Sequence, residues 1–300
     1  MVLSPHEPVA APAVHAIPRR YVALGLIIVA TILVAVLVLI RNDNGADQTP
    51  SGEIFTPAPT SLLQTIGHIP TATVDAVGVT ATAGPISPPL PTNNPALWVA
   101  SPRGVANLPV VFFYGAEFAP YAAAESWPVV VALSRFGTFT QLGLAQSGSS
   151  VAFSDTSTFT FWQARYTSLW LDLQTVERYG SLDPTGGGYT ALQTPTARQA
   201  ASVEAYDTSK STFPLLDVAN HYTLIGSAFA PSVLDGLSQS DIVADLAFPA
   251  SPVTQAVVGA ANEITAAICT VTGQRPAAVC DTRGVAAADA KMAISRPAAS

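Results

Sequence analysis

The stretch that most constrains the fold is Leu108–Trp127, LPVVFFYGAEFAPYAAAESW. Residues 109–114 are continuously apolar, the pattern of a strand covered on both faces. Pro120 then opens a helix predicted to run to Phe136, at a position where the missing N–H costs nothing. Pro128 lies inside that helix and should kink it, and Gly137 should end it. A doubly covered strand followed at once by a helix points to an α/β architecture, with helices packed over a central sheet.

The flanking segments extend this plan. FTQLGLAQS and TFTFWQARYTSLWLDLQTVERYG are rich in β-branched and aromatic residues and read as strands. A long polar insertion follows, with one helix expected at Ala197–Tyr206. FPLLDVANHYTLIG reads as a hairpin turning at Ala219–Asn220, and two helices are expected over Pro231–Leu246 and Pro252–Val271. Ahead of the core, SLLQTIGHIPTATVDAVGV suggests a helical turn and a strand. ATAGPISPPLPTNNP carries too many prolines for regular structure and reads as a wrapping loop.

Tyr21–Ile40, YVALGLIIVATILVAVLVLI, is an uncharged run of 20 residues. At about 1.5 Å per residue, such a helix spans a hydrocarbon core of about 30 Å. Arg19 and Arg20 on the short N-terminal side favour a cytoplasmic N-terminus. The run exceeds a signal-peptide core, so an uncleaved single-pass anchor is expected. The predicted organisation is a cytoplasmic tail (1–18), an anchor (19–41), a polar linker (42–60), an extracytoplasmic domain (61–283) and a flexible tail (284–300). The two cysteines, Cys269 and Cys280, both fall on the outer side, where disulfides persist. An even pair close in sequence reads as one structural disulfide, which stabilises by about 3 kcal/mol in the chain-entropy picture.

Composition removes several function classes. A net charge of −7, with 11% charged residues, argues against a nucleic-acid partner. His6, His15, His68 and His221 have no second ligand at metal spacing, so no metal and no cofactor are expected.

Four segments, GAEFAPYAAAESW, ALSRFGTF, FPLLDVANHYTLIG and AAICTVTGQRPAAVC, resemble a prokaryotic family of unknown function, DUF929, common in actinobacteria and also archaeal. The resemblance covers about residues 61–280. It implies a membrane-anchored or exported thioredoxin-like fold, here carrying N-terminal and internal extensions and one N-terminal transmembrane helix. The family's helix start is similar to Cys-Pro-Tyr-Cys-Ala-Ala-Glu-Arg-Trp. Pro120, Tyr121, Ala123, Ala124, Glu125 and Trp127 match it, whereas Ala119 and Ala122 stand at the two sulfur positions and Ser126 at a basic one. The resemblance also places Cys269 and Cys280 as a C-terminal pair, and Phe213–Pro214 at the loop where thioredoxin-like proteins carry a cis proline. The local sequence leaves cis and trans open.

Thiol–disulfide exchange needs an attacking thiolate and a second thiol to resolve the mixed disulfide. With alanine at both positions, the implied redox site is vacant. The expectation is a non-catalytic module binding an envelope protein or peptide through a groove of Phe118, Pro120, Tyr121, Trp127, Phe213 and Pro214. The alternative is an oxidoreductase relative whose cysteines were replaced, by divergence or by design. Other chemistries are weaker. Ser126, Ser134 and Ser147–Ser150 lack a nucleophile elbow, and His221 has only Asp217 nearby to orient it. Gly186–Gly188 reads as a flexible loop. Glu117 and Glu125 flank the vacant positions, where acidic residues suit a helix N-terminus without any catalytic duty.

Overall fold

The computed structural model describes residues 46–47, 54–82, 84–92, 108–149, 152–181, 188–206 and 213–294. The chain divides into two units, Met1–Asp43 and Asn44–Ser300, and every described residue belongs to the second. The expected anchor, Tyr21–Ile40, lies outside the described residues; among those described, no helix is long and apolar enough to cross a membrane.

The chain leads in through short strands β1 (Ala46–Asp47) and β2 (Thr56–Pro57), helices α1 (Thr60–Gly67) and α2 (Thr71–Val77), and strand β3 (Leu90–Pro91). The core strand β4 (Val110–Gly115) is buried along its whole length. Its residues alternate between two apolar cores, Val111 and Phe113 facing one and Val110, Phe112 and Tyr114 the other. This alternation is why the strand reads as continuously apolar. Helix α3 (Pro120–Ser134) follows, with Pro120 in its first turn, and it continues through Pro128.

Gly137 does not simply stop α3. It begins β5 (Gly137–Gln146), which pairs with β6 (Ser157–Ser168). A Cβ there would collide with the Thr167 carbonyl and the Tyr166 ring, so the position needs glycine for close strand approach. Strands β2, β5 and β6 form a three-stranded antiparallel sheet.

Strand β7 (Asp172–Glu177) returns parallel to β4. Strand β8 (Gln193–Thr194) pairs with β1, and α4 (Ala197–Tyr206) occupies the expected range. Strands β9 (Leu215–Val218) and β10 (Tyr222–Ile225) form the expected hairpin. Its turn residues Ala219 and Asn220 have φ of 50° and 58°, the left-handed central pair of a tight turn closed by the His221 N–H donating to the Val218 carbonyl at 2.9 Å. The five-stranded sheet runs β3-β10-β9-β4-β7, mixed in direction. The fold is therefore mixed α/β.

Three expectations are corrected here. The segment 61–79 contains no strand: α1 and α2 occupy it, each preceded by a proline, Pro59 or Pro70. Thr73, Val74 and Val77 of α2 are buried on one face at helical spacing, and packing overrides their β-branched character. The proline-rich loop contributes β3, which pairs with β10. The region 231–246 is a 3-10 turn (Pro231–Leu234) followed by α5 (Gln239–Asp245), separated by a new start at Ser238 that forms a capping box with Asp241.

Helix α6 (Pro252–Val271) matches its predicted limits and is capped by the Ser251 hydroxyl. It is followed by α7 (Ala277–Cys280) and α8 (Arg283–Ile294). Cys269 and Cys280 are disulfide-bonded, tying the end of α6 to α7. The expected flexible tail is thus a helix over much of its length. Val285, Ala288 and Met292 of α8 are buried in the main core, and Lys291 Nζ lies 2.7 Å from the Glu263 carboxylate of α6.

Candidate functional site: the vacant helix start

Strand β4 delivers the chain to the first turn of α3 at the end of the sheet. The Glu117 N–H donates to the Tyr179 carbonyl at 2.8 Å, which fixes the turn beside the segment after β7. Ala119 then sits at the N-cap in extended conformation and Pro120 occupies the first helical position. Alanine has no side-chain acceptor, so the helix start lacks a side-chain cap.

The two alanines are covered. Ala119 is 8% exposed and Ala122 is 4% exposed, and with Ala116 they form a small apolar cluster against Phe118, Tyr179 and Phe213. The Phe118 ring stacks on Tyr189 at 3.8 Å and meets Phe213 edge-on at 5.9 Å. Phe213 stacks in turn on Tyr114 of β4 at 5.3 Å. The Phe213–Pro214 peptide bond is cis, and Pro214 is buried immediately before β9. Phe118, Pro120 and Phe213 are half-buried. The structure therefore brings Ala119, Ala122, Phe118 and Phe213 into one aromatic-covered cluster.

Two expected site residues lie elsewhere. Trp127 does not line a groove: it is fully buried, its Nε1 donating to the Ser157 carbonyl at 2.9 Å and its ring packed on Phe159 at 4.5 Å. Ser126 is also buried. Its hydroxyl donates to the Ala123 carbonyl at 2.9 Å and lies in hydrogen-bonding contact with Thr158 of β6. Residue 126 thus faces the three-stranded sheet.

Tyr121 is the exposed member, at 48%. It meets Phe153 edge-on at 6.5 Å and borders a cavity of about 250 Å³ with Pro85, Phe229, Val233 and Ala256. Beneath this rim lies Glu125, fully buried, one oxygen accepting from the Ala228 N–H at 2.7 Å and the other without a hydrogen-bond partner among the described residues. Burial pushes its carboxyl up to about 8, only partly offset by the Ala228 hydrogen bond, so it is mostly protonated at neutral pH.

Glu117 and Glu125 point to different surroundings and do not form a pair. Glu117 accepts from the Ser181 hydroxyl at 3.3 Å, and its charge acts on Glu177 at the end of β7. Burial first, and Glu117 second, raise the Glu177 carboxyl well above the usual range, while the Phe161 N–H at 3.1 Å favours its ionised form. The sequence reading missed Glu177, because a glutamate at a strand end looks like an ordinary solvent-facing residue.

Among the described residues, the remaining candidates sit in separate local hydrogen-bond settings. His221 sits in the β9–β10 turn, with Nδ1 2.8 Å from its neighbour's carbonyl, Ala219. Asp217 accepts from the Asn220 N–H at 2.8 Å and from the Tyr206 hydroxyl at 3.2 Å, and burial raises its carboxyl to about 6. Ser147 donates to the Phe153 carbonyl. His6, His15, Ser150, Gly186 and Gly187 lie outside the described residues.

Comparison with curated proteins returned no match, and comparison with solved structures returned none. The family model described as Domain of unknown function (DUF929) matches residues 100–270, more than half of the chain, and the chain belongs to that family.

Proposed function

We propose that this DUF929 protein is a thioredoxin-like module without redox chemistry, anchored by Tyr21–Ile40, which binds an extended peptide segment of a cell-envelope protein. Residues 42–300 lie outside the cytoplasmic membrane in this reading. The observation that carries it is the position of Ala119 and Ala122. They stand at the start of the helix that follows the central strand, packed against the residue that opens β9. The sheet order supports the same reading: β7 lies parallel on one side of β4, with the β9–β10 hairpin antiparallel on the other. Thioredoxin-like proteins share this arrangement, and here the β5–β6 hairpin is inserted before the parallel strand.

Helix N-terminal dipole and free N–H groups remain at such a start, but no sulfur stands there to be activated. Because aromatic rings cover the alanines, binding falls on the rim, where Tyr121 and Phe153 offer rigid contact area beside the apolar cavity. The second reading, an oxidoreductase relative whose cysteines were replaced, shares this fold and differs in history. The codons at positions 119 and 122 in the source genome separate divergence from design.

The test uses the full chain in detergent with a library of extended peptides drawn from envelope proteins. Tyr121→Ala should weaken bound peptides about tenfold, as loss of a central aromatic anchor does. Equal weakening by changing exposed Leu169, remote in the β6–β7 turn, or no weakening by Tyr121→Ala, refutes the rim as the binding site.

A further inference from the structure

Segment 226–230, Gly-Ser-Ala-Phe-Ala, joins β10 to the 3-10 turn, and Ser227–Ala230 form one wall of the cavity beside Tyr121. The segment belongs to neither a helix nor a strand. The Gly226 N–H donates to the Pro214 carbonyl at 2.8 Å, and the Ala228 carbonyl accepts from the Ser87 N–H at 2.9 Å. The Ala228 N–H reaches inward to Glu125 at 2.7 Å. Gly226 opens the segment at φ 81°, where glycine sits without steric cost.

Glu125 meets this wall from α3 as a fully buried side chain, with one oxygen lacking a hydrogen-bond partner among the described residues. A neutral carboxyl tolerates that setting. A carboxylate would rest its charge on a single N–H in an apolar core, which is far more costly. On the described elements packed against α3, the ionisable groups are Glu263 of α6 and Arg165 and Tyr166 of β6. Glu263 is engaged by Lys291 at 2.7 Å, and the Tyr166 hydroxyl donates to the Leu133 carbonyl at 2.8 Å, near the far end of α3. Strand β5, α1, the 3-10 turn and 226–230 carry none, and Tyr121 on α3 itself is exposed. Burial, with a small offset from the Ala228 N–H, accounts for the rise of Glu125 to about 8.

Once the proton is lost, the carboxylate must reach water. Helix α6 is buried over most of its length and cannot yield without opening the main core. The 226–230 wall has a cavity of about 250 Å³ on its other side and a glycine at its start. The wall is the element that gives.

We propose that Glu125 is a proton-operated latch on the 226–230 wall: with its proton it holds the wall closed, and without it the wall moves aside and water reaches the carboxylate. The cavity beside Tyr121 keeps its shape only while the latch is closed. The latch acts whether or not peptides bind at that rim.

Between the ordinary carboxyl value of 4.5 and about 8, the closed wall holds a proton that the open one does not. Opening therefore rises roughly tenfold per pH unit in that window and levels off above it. Hydrogen exchange of the full chain in detergent is followed by mass spectrometry between about pH 5 and 9 and corrected for base-catalysed exchange. Protection at 226–230 should fall on that slope while α6 stays protected. Glu125→Gln should make protection there independent of pH. Asp217→Asn, which removes the raised carboxyl of the neighbouring hairpin, should leave the parent's profile in place. The proposal is overturned if 226–230 is equally protected across the range, if α6 opens in step with it, or if folded Glu125→Gln keeps the parent's profile. Should Glu125→Gln fail to fold, Asp217→Asn decides: the profile persists if Glu125 is its source and disappears if the hairpin carboxyl is.

Discussion

Replacing Glu125 by glutamine should make the protein less sensitive to alkaline pH. In the folded state burial raises this carboxyl from the usual 4.5 to about 8, and the Ala228 hydrogen bond recovers little of that. A folded-state value above the unfolded one means that the native state holds the proton more tightly. The unfolded chain then binds fewer protons between the two values, so stability falls as pH rises through that window. At about 1.4 kcal/mol per pKa unit, the loss between pH 4.5 and 7 is roughly 3 kcal/mol. Glutamine keeps an oxygen to accept from the Ala228 N–H and carries no charge to expose. The assay is urea unfolding of parent and Glu125→Gln at pH 5 and pH 8. Other raised groups, Glu177 and Asp217, are present in both proteins, so their contribution cancels in the difference. With a urea slope of about 3 kcal/mol/M, the parent midpoint should fall by about 1 M more than the variant's. Parallel pH dependences for the two proteins would refute the reasoning.

Two further outcomes follow from packing and covalent structure. Trp127→Ala should cost about 3–5 kcal/mol by calorimetric or urea unfolding, because it empties a fully buried indole site and orphans the Ser157 carbonyl; a cost below about 1 kcal/mol would place the ring at the surface. Thiol labelling of unreduced protein should find neither Cys269 nor Cys280 reactive, and replacing both by serine should cost about 3 kcal/mol; labelling of both residues in the unreduced protein contradicts the bridge.

The sequence made the central elements readable wherever one local signal had one structural cause. Pro120 marked a helix start, Ala219–Asn220 marked the hairpin turn, and Pro252–Val271 coincides with α6. Misreadings arose where packing overrode local pattern. Helix α3 is buried nearly all round, so its sequence carries no stripe to tell the exposed Tyr121 from the core Trp127. Helix α8 is alanine-rich and polar enough to read as a tail, yet its small residues let it dock on α2 and α6. Glu177 could not be found from its neighbours, because it is buried by the β5–β6 hairpin and the β8 region, both distant in sequence. The candidate site was legible as a pair of alanines in a motif, and its aromatic cover was not. Tyr179, Tyr189 and Phe213 reach it from three separate segments.

The most direct test of a thioredoxin-like frame around a vacant site is the double variant Ala119→Cys with Ala122→Cys. Positions three apart across a first helical turn are neighbours, and both alanines already share one cluster with Phe213. The folded variant, treated with oxidised glutathione at mild concentration, should close an intramolecular disulfide, read by alkylation and mass spectrometry as two protected thiols beyond Cys269 and Cys280. A variant that melts like the parent and yet keeps both new thiols open to alkylation would contradict the proposed geometry, and the thioredoxin-like reading with it.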